Sequence, residues 1–102
     1  MHLIQFLLPL SDNAGKAFPK SAFDAVRTEL AERFGGVTAY VQSPATGVWA
    51  DPEGGLVRDD MVLVELVAQT LDRAWWDAYR RKLEQQFRQE AVLVRALPME
   101  QL

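Results

Sequence analysis

Residues 61–68 read MVLVELVA, and their periodicity decides the fold. The run is rich in Val and Leu and holds neither glycine nor proline, which makes it a β-strand. Alternate residues on a strand point to opposite sides. Val62, Val64 and Leu66 therefore share one wholly apolar face. Met61, Leu63, Glu65 and Val67 share the other, with a single charge in its middle.

Downstream of this strand, residues 71–90 predict a helix that Thr70 or Asp72 can cap. Trp76, Tyr79, Leu83 and Phe87 fall at helical spacing and form its apolar stripe, with Trp75 at the stripe's edge. Residues 91–97 predict a last strand, stopped by Pro98. Upstream, the segment GVWADPEGGLVRD from Gly47 predicts a short hairpin at about 47–58, turning through Asp51, Pro52, Glu53, Gly54 and Gly55. Residues 37–42 alternate as a strand. Before them lies a first helix, opened by Pro19 and Ser21, with Ser21 and Asp24 as a capping pair. Phe23, Val26, Leu30 and Phe34 make its stripe, and Gly35-Gly36 ends it. Residues 3–8 are a first strand, closed by Pro9 and loop chemistry at residues 11–15. Gly15-Lys16 lacks the remaining spacing of a phosphate loop.

The order is strand, helix, strand, strand, helix, strand, the split βαβ pattern. It predicts an α+β, ferredoxin-like βαββαβ sandwich over residues 1–102 as a single domain. A four-stranded antiparallel sheet would carry two helices on one face, with the 47–58 hairpin as an extra.

Composition narrows the function classes. The chain has 102 residues, is 49% hydrophobic and carries a formal net charge of -3. That balance supports a packed core and argues against nucleic acid, which needs a basic patch. Arg80, Arg81 and Lys82 are flanked by Asp77 and Glu84 and read as a solvated helix face. With no cysteine and only His2 as histidine, thiolate and histidine-cluster metal sites are excluded. No metal and no cofactor is expected. The apolar start lacks the basic region and cleavage site of a signal peptide, and no apolar run is long enough to cross a bilayer. A cytoplasmic protein is expected.

The phase set by residues 61–68 extends to the other strands. Ile4, Phe6 and Leu8, Val37, Ala39 and Val41, and Val92, Val94 and Ala96 join the helix-facing side, and all are apolar. The opposite side would carry Leu3, Gln5 and Leu7; Thr38, Tyr40 and Gln42; Met61, Leu63, Glu65 and Val67; and Leu93, Arg95 and Leu97. This is too apolar for a face left to water. A second copy is the simplest cover, because twofold dimers dominate among oligomers.

With the first strand between the third and fourth, Gln5 falls between Glu65 and Arg95, with Tyr40 or Thr38 beyond Glu65. One reading is a polar network that neutralises its charges inside a dimer interface. The other is a small-ligand pocket, in which Arg95 binds an anion and Glu65 acts as acid or base, assisted by Tyr40. Trp49 on the hairpin is either an aromatic clamp or an arm packed on its own domain or a partner. The ligand-binding candidates are therefore Gln5, Thr38, Tyr40, Trp49, Glu65 and Arg95, with Glu65, Tyr40 and Arg95 as catalytic candidates.

ERFGGVTAY at 32–40, GVWADPEGG at 47–55 and LDRAWWDAYRRKLEQQFRQEAVLVRA at 71–96 resemble a family of uncharacterised bacterial proteins. Trp49 and the Phe87-x-Gln89 pair carry the resemblance most closely. It implies a ferredoxin-like fold similar in outline to dimeric α+β barrels, and brings no activity with it. Two functions stand as expectations. One is a homodimeric domain that binds a small ligand or a protein at its open sheet face. The other is a cofactor-free enzyme of the monooxygenase or isomerase kind.

Overall fold

In the computed structural model, backbone is described for residues 1–51 and 55–102, and side chains for 1–38 and 61–102. The elements are β1 (His2–Pro9), α1 (Lys20–Phe34), β2 (Thr38–Asp51), β3 (Gly55–Ala68), α2 (Arg73–Gln86) and β4 (Val94–Pro98). The strands form an antiparallel sheet in the order β2-β3-β1-β4. This small α+β architecture is consistent with a ferredoxin-like fold.

The helix-facing phase read from residues 61–68 sets the core. Ile4, Phe6, Leu8, Val62, Val64 and Leu66 are all buried, and they meet Phe23, Val26 and Leu30 of α1 and Trp76, Tyr79 and Leu83 of α2. Each such side chain contributes about 1.5–3 kcal/mol when fully buried. Phe34 stacks on Trp76 at 5.4 Å between ring centroids and ties the end of α1 to the start of α2.

The helices start and stop for identifiable reasons. Pro19 occupies the N-cap of α1 with extended backbone and no side-chain capping bond. Ser21 is thus already inside the helix, and Asp24 pairs with Arg27 rather than capping. Gly35 ends α1 with φ 80°, a left-handed value that glycine adopts without a Cβ penalty, and donates to the Ala31 carbonyl at 2.8 Å. Asp72 caps α2, its Oδ1 accepting from the Trp75 amide at 3.0 Å.

Three sequence expectations need correction. The second helix ends at Gln86, not at residue 90, because Arg88 takes a positive φ of 51° and turns the chain. The last strand accordingly begins at Val94 rather than at residue 91. Val92 is still buried, but Ala96 is exposed although its phase is right. The core is built on the central strands β1 and β3, and edge strand β4 is only partly roofed.

The third correction concerns the hairpin at 47–58, which is not a separate insertion. It is the distal half of one long β2–β3 pairing, running from Thr38↔Glu65 to Asp51↔Gly55. Between Tyr40 and Ala45, β2 advances five residues while β3 advances two, a bulge that the short-strand reading missed. Strand β1 pairs with β3 only over Met61–Ala68. Beyond that point, among the described residues, the two strands continue as a ribbon paired to each other. The centre of the expected turn, residues 52–54, lies outside the described residues.

Candidate functional site on the open sheet face

The side of the sheet away from the helices carries a polar row crossing an apolar field. Register places Thr38 beside Glu65, Glu65 beside Gln5, and Gln5 beside Arg95. Gln5 Nε2 donates to Glu65 Oε1 at 2.6 Å, and Gln5 Oε1 accepts from Arg95 Nε at 3.0 Å. The amide is polarised in one sense, with its donor toward the carboxylate and its acceptor toward the guanidinium. Glu65 and Gln5 are half-buried, while Thr38 and Arg95 are exposed.

Apolar side chains flank this row. Leu3 sits between Val67 and Leu97, and Leu7 beside Leu63. Val67 is 38% exposed, Leu97 43% and Leu93 66%, whereas Leu3, Leu7, Met61 and Leu63 are half-buried. Water thus reaches a large part of this side in the single chain.

The structure brings together Thr38, Glu65, Gln5 and Arg95 of the residues singled out from sequence. Thr38, not Tyr40, stands next to Glu65; the Tyr40 backbone pairs with Leu63, further along. Trp49 pairs with Val57 in the distal ribbon. The side chains of Tyr40 and Trp49 lie outside those described, so their proposed roles rest on sequence alone.

An open groove of about 1130 Å³ begins where the row meets the end of the sheet. Thr38 and Glu65 line it, together with Arg33, Asp72, Thr70 and Gln101. Arg33 lies 3.6 Å from Asp72, and its guanidinium stacks 4.3 Å from the Trp75 ring centroid. Sequence reading passed over Arg33; its signal is a basic side chain in the last helical turn, immediately before Phe34 and the glycine stop. Arg95 does not reach this groove. It lines a smaller cavity of about 420 Å³ between α2 and β4.

The basic cluster on α2 is largely neutralised. Arg80 binds Asp77 and Glu84, each at 2.8 Å; Arg81 lies 3.1 Å from Asp77, and Lys82 lies 2.8 Å from Glu29. The hydrogen bond from Arg80 and the charge of Arg81 hold the Asp77 carboxyl below its usual range. Among the described residues no group of three or more His, Asp or Glu side chains is placed to hold a metal. No helix is long and apolar enough to cross a membrane.

No family model and no curated protein matches the chain. Solved structures do. A phage SAM lyase in complex with S-methyl-5'-thioadenosine aligns with TM-score 0.65 and 16% identity, over 94% of this chain and 79% of the other. A phage SAM lyase in its apo state aligns with TM-score 0.62, 15% identity and coverages of 94% of this chain and 78% of that one. A variant of CutA1 from Pyrococcus horikoshii OT3 aligns with TM-score 0.58 and 10% identity, over 100% of this chain and 86% of that one. At these identities the likeness is one of fold.

Proposed function

We propose that the chain is a cytoplasmic homodimeric binding domain whose second copy covers the open sheet face and whose rim groove takes a small polar ligand. The observation that carries this reading is the apolar field around the Glu65–Gln5–Arg95 row, part-exposed in one chain. A second copy fits the charge pattern of that row. A twofold axis along the strand direction through Gln5 reverses the row and sets Glu65 of each copy opposite Arg95 of the other. Neighbouring strands are about 4.8 Å apart and residues about 3.4 Å, so seven residues of four strands offer ~450 Å² of flat area. A standard interface takes about 800 Å² per partner, and the projecting β2–β3 ribbon supplies further surface. Sedimentation velocity at micromolar concentration tests this: a dimer is expected for the wild type and a folded monomer for Leu63→Lys. A wild-type monomer overturns it.

A second reading, a cofactor-free enzyme, is favoured by the groove itself. Glu65 and Thr38 line an open space of about 1130 Å³, large enough for a nucleoside-sized molecule. The phage SAM lyase of similar fold was solved with S-methyl-5'-thioadenosine. In this reading Glu65 acts as acid or base, and Gln5, held on its other side by Arg95, orients it. The assisting role read for Tyr40 from sequence is part of the same reading. Incubation with S-methyl-5'-thioadenosine separates the two, since both place a ligand in the groove. Turnover that is lost in Glu65→Gln while binding persists favours the enzyme, binding without turnover favours the binding domain, and absence of binding removes this nucleoside from consideration.

A further inference from the structure

A polar pair and an apolar pair stand side by side in the rim groove. Register sets Thr38 beside Glu65, and Leu3 beside Val67 on the same side of the sheet. All four line the open space of about 1130 Å³. Val67 follows Glu65 by two residues, about 7 Å along β3.

Glu65 is held in one orientation. Its Oε1 accepts from Gln5, whose amide is fixed in turn by Arg95. Among the described residues, neither its Oε2 nor the Thr38 hydroxyl has a hydrogen-bond partner. Glu65 is half-buried and Thr38 exposed, so a molecule in the groove reaches both.

This pairing suits a cis-diol. Neighbouring strands lie about 4.8 Å apart and hydroxyl hydrogen bonds are about 2.7 Å long, so two adjacent hydroxyls of one sugar ring can reach both side chains. A carboxylate only accepts, whereas a threonine hydroxyl donates and accepts, and between them they serve both hydroxyls. Acidic side chains hold the ribose 2'-hydroxyl of bound dinucleotides in this way. A cation fits less well, because Gln5 already relays Arg95 to the carboxylate. The step of about 7 Å from Glu65 to Val67 matches the offset from a sugar to the base it carries, and Leu3 and Val67 offer that base an apolar seat.

We propose that the rim groove binds a ribonucleoside, with Glu65 and Thr38 on its 2',3'-diol and Leu3 and Val67 under its base. This deepens, and rests on, the first reading above, in which the groove takes a small polar ligand.

Isothermal titration with adenosine, guanosine, cytidine and uridine tests the site, with their 2'-deoxy and 3'-deoxy forms and D-ribose for comparison. At least one ribonucleoside should bind saturably, at least tenfold more tightly than either of its deoxy forms. D-Ribose, which lacks a base, should bind at least tenfold more weakly than that nucleoside. Thr38→Val should weaken the ribonucleoside about fivefold and leave unchanged the deoxy form that lacks the hydroxyl met by Thr38. Glu65→Gln keeps a hydrogen-bonding end and should weaken binding about fivefold without abolishing it. Equal binding of ribonucleosides and their deoxy forms, ribose as tight as the nucleosides, or no heat with any of the four overturns the inference. Sedimentation tests the first reading separately, so a wild-type dimer that fails these titrations loses only the ribonucleoside assignment.

Discussion

Gln5 donates to Glu65 across the β1–β3 pair at 2.6 Å, and this contact fixes the sense of its amide. Glu65 and Arg95 stand two strands apart, roughly 9–10 Å between backbones, with Gln5 between them. Glutamine joins them because one end of its amide donates and the other accepts. A leucine in its place would fit the apolar field but leave both charges without this link.

The first prediction follows from that link. Gln5→Leu removes two hydrogen bonds from groups that stay half-buried or exposed. A typical bond contributes about 0.5–1.5 kcal/mol, and solvent compensates part of the loss. A destabilisation of about 1 kcal/mol is expected in urea titrations, with an unchanged denaturant slope. A variant as stable as the parent would show that water serves Glu65 and Arg95 equally well.

Reversing the charges tests the twofold arrangement. Glu65→Arg alone sets two guanidiniums opposite each other in the proposed dimer, and Arg95→Glu alone sets two carboxylates opposite. Each single variant should raise the dimer dissociation constant at least tenfold. The double variant restores complementarity, and Gln5 needs only to flip its amide. Its dissociation constant should return to within a few-fold of the parent. If instead the two losses add, the row does not face its own copy.

The fold was legible where pattern and burial coincide. The phase set by Val62, Val64 and Leu66 placed Ile4, Phe6 and Leu8 on the same buried side, and register brought Gln5 between Glu65 and Arg95. The long hairpin was hidden because its bulge breaks the alternation of β2 near Pro44, so that continuous strand reads as strand, turn and strand. The end of α2 was hidden for another reason. Phe87 is a perfectly spaced stripe residue and is fully buried, yet the next residue turns the chain through a left-handed backbone that no side chain announces. Arg33 was missed because its partners, Asp72 and Trp75, are distant in sequence.

Glu84 gives a prediction about acid. Its Oε2 accepts from the Val92 amide at 2.9 Å and from Arg80, which ties the end of α2 to the segment leading into β4. The Val92 hydrogen bond above all, aided by Arg80, holds this carboxyl below its usual range. A carboxyl depressed in the folded state stabilises above its unfolded pKa, and that contribution fades as pH falls through the folded value. The parent should therefore lose stability from about pH 4 downward, around the ordinary glutamate pKa. Glu84→Gln should be less stable at pH 7 and lose less on acidification. Parallel acid limbs in urea titrations for the two proteins would rule out this role.

Tyr79 gives the opposite pH dependence. The residue is 6% exposed, its ring stacks on Trp75 at 4.9 Å, and its hydroxyl has no hydrogen-bond partner among the described residues. Burial, with the Glu29 carboxylate as a second cause, pushes its pKa well above the ordinary tyrosine value. Glu29 itself is engaged by Lys82 at 2.8 Å. A raised pKa means that the folded state favours the neutral phenol. Its contribution is complete below about pH 10, the unfolded value, and disappears as pH rises through the folded one. Tyr79→Phe should keep its stability further into alkali. At pH 7 it should be neutral to slightly stabilising, since no bond is lost and an unsatisfied hydroxyl is removed. Absorbance at 295 nm, with Tyr40 as the only other tyrosine, should show Tyr79 ionising only together with unfolding. A loss of more than about 1 kcal/mol at pH 7 would mean that the hydroxyl does bond, with Glu29 as the acceptor in reach.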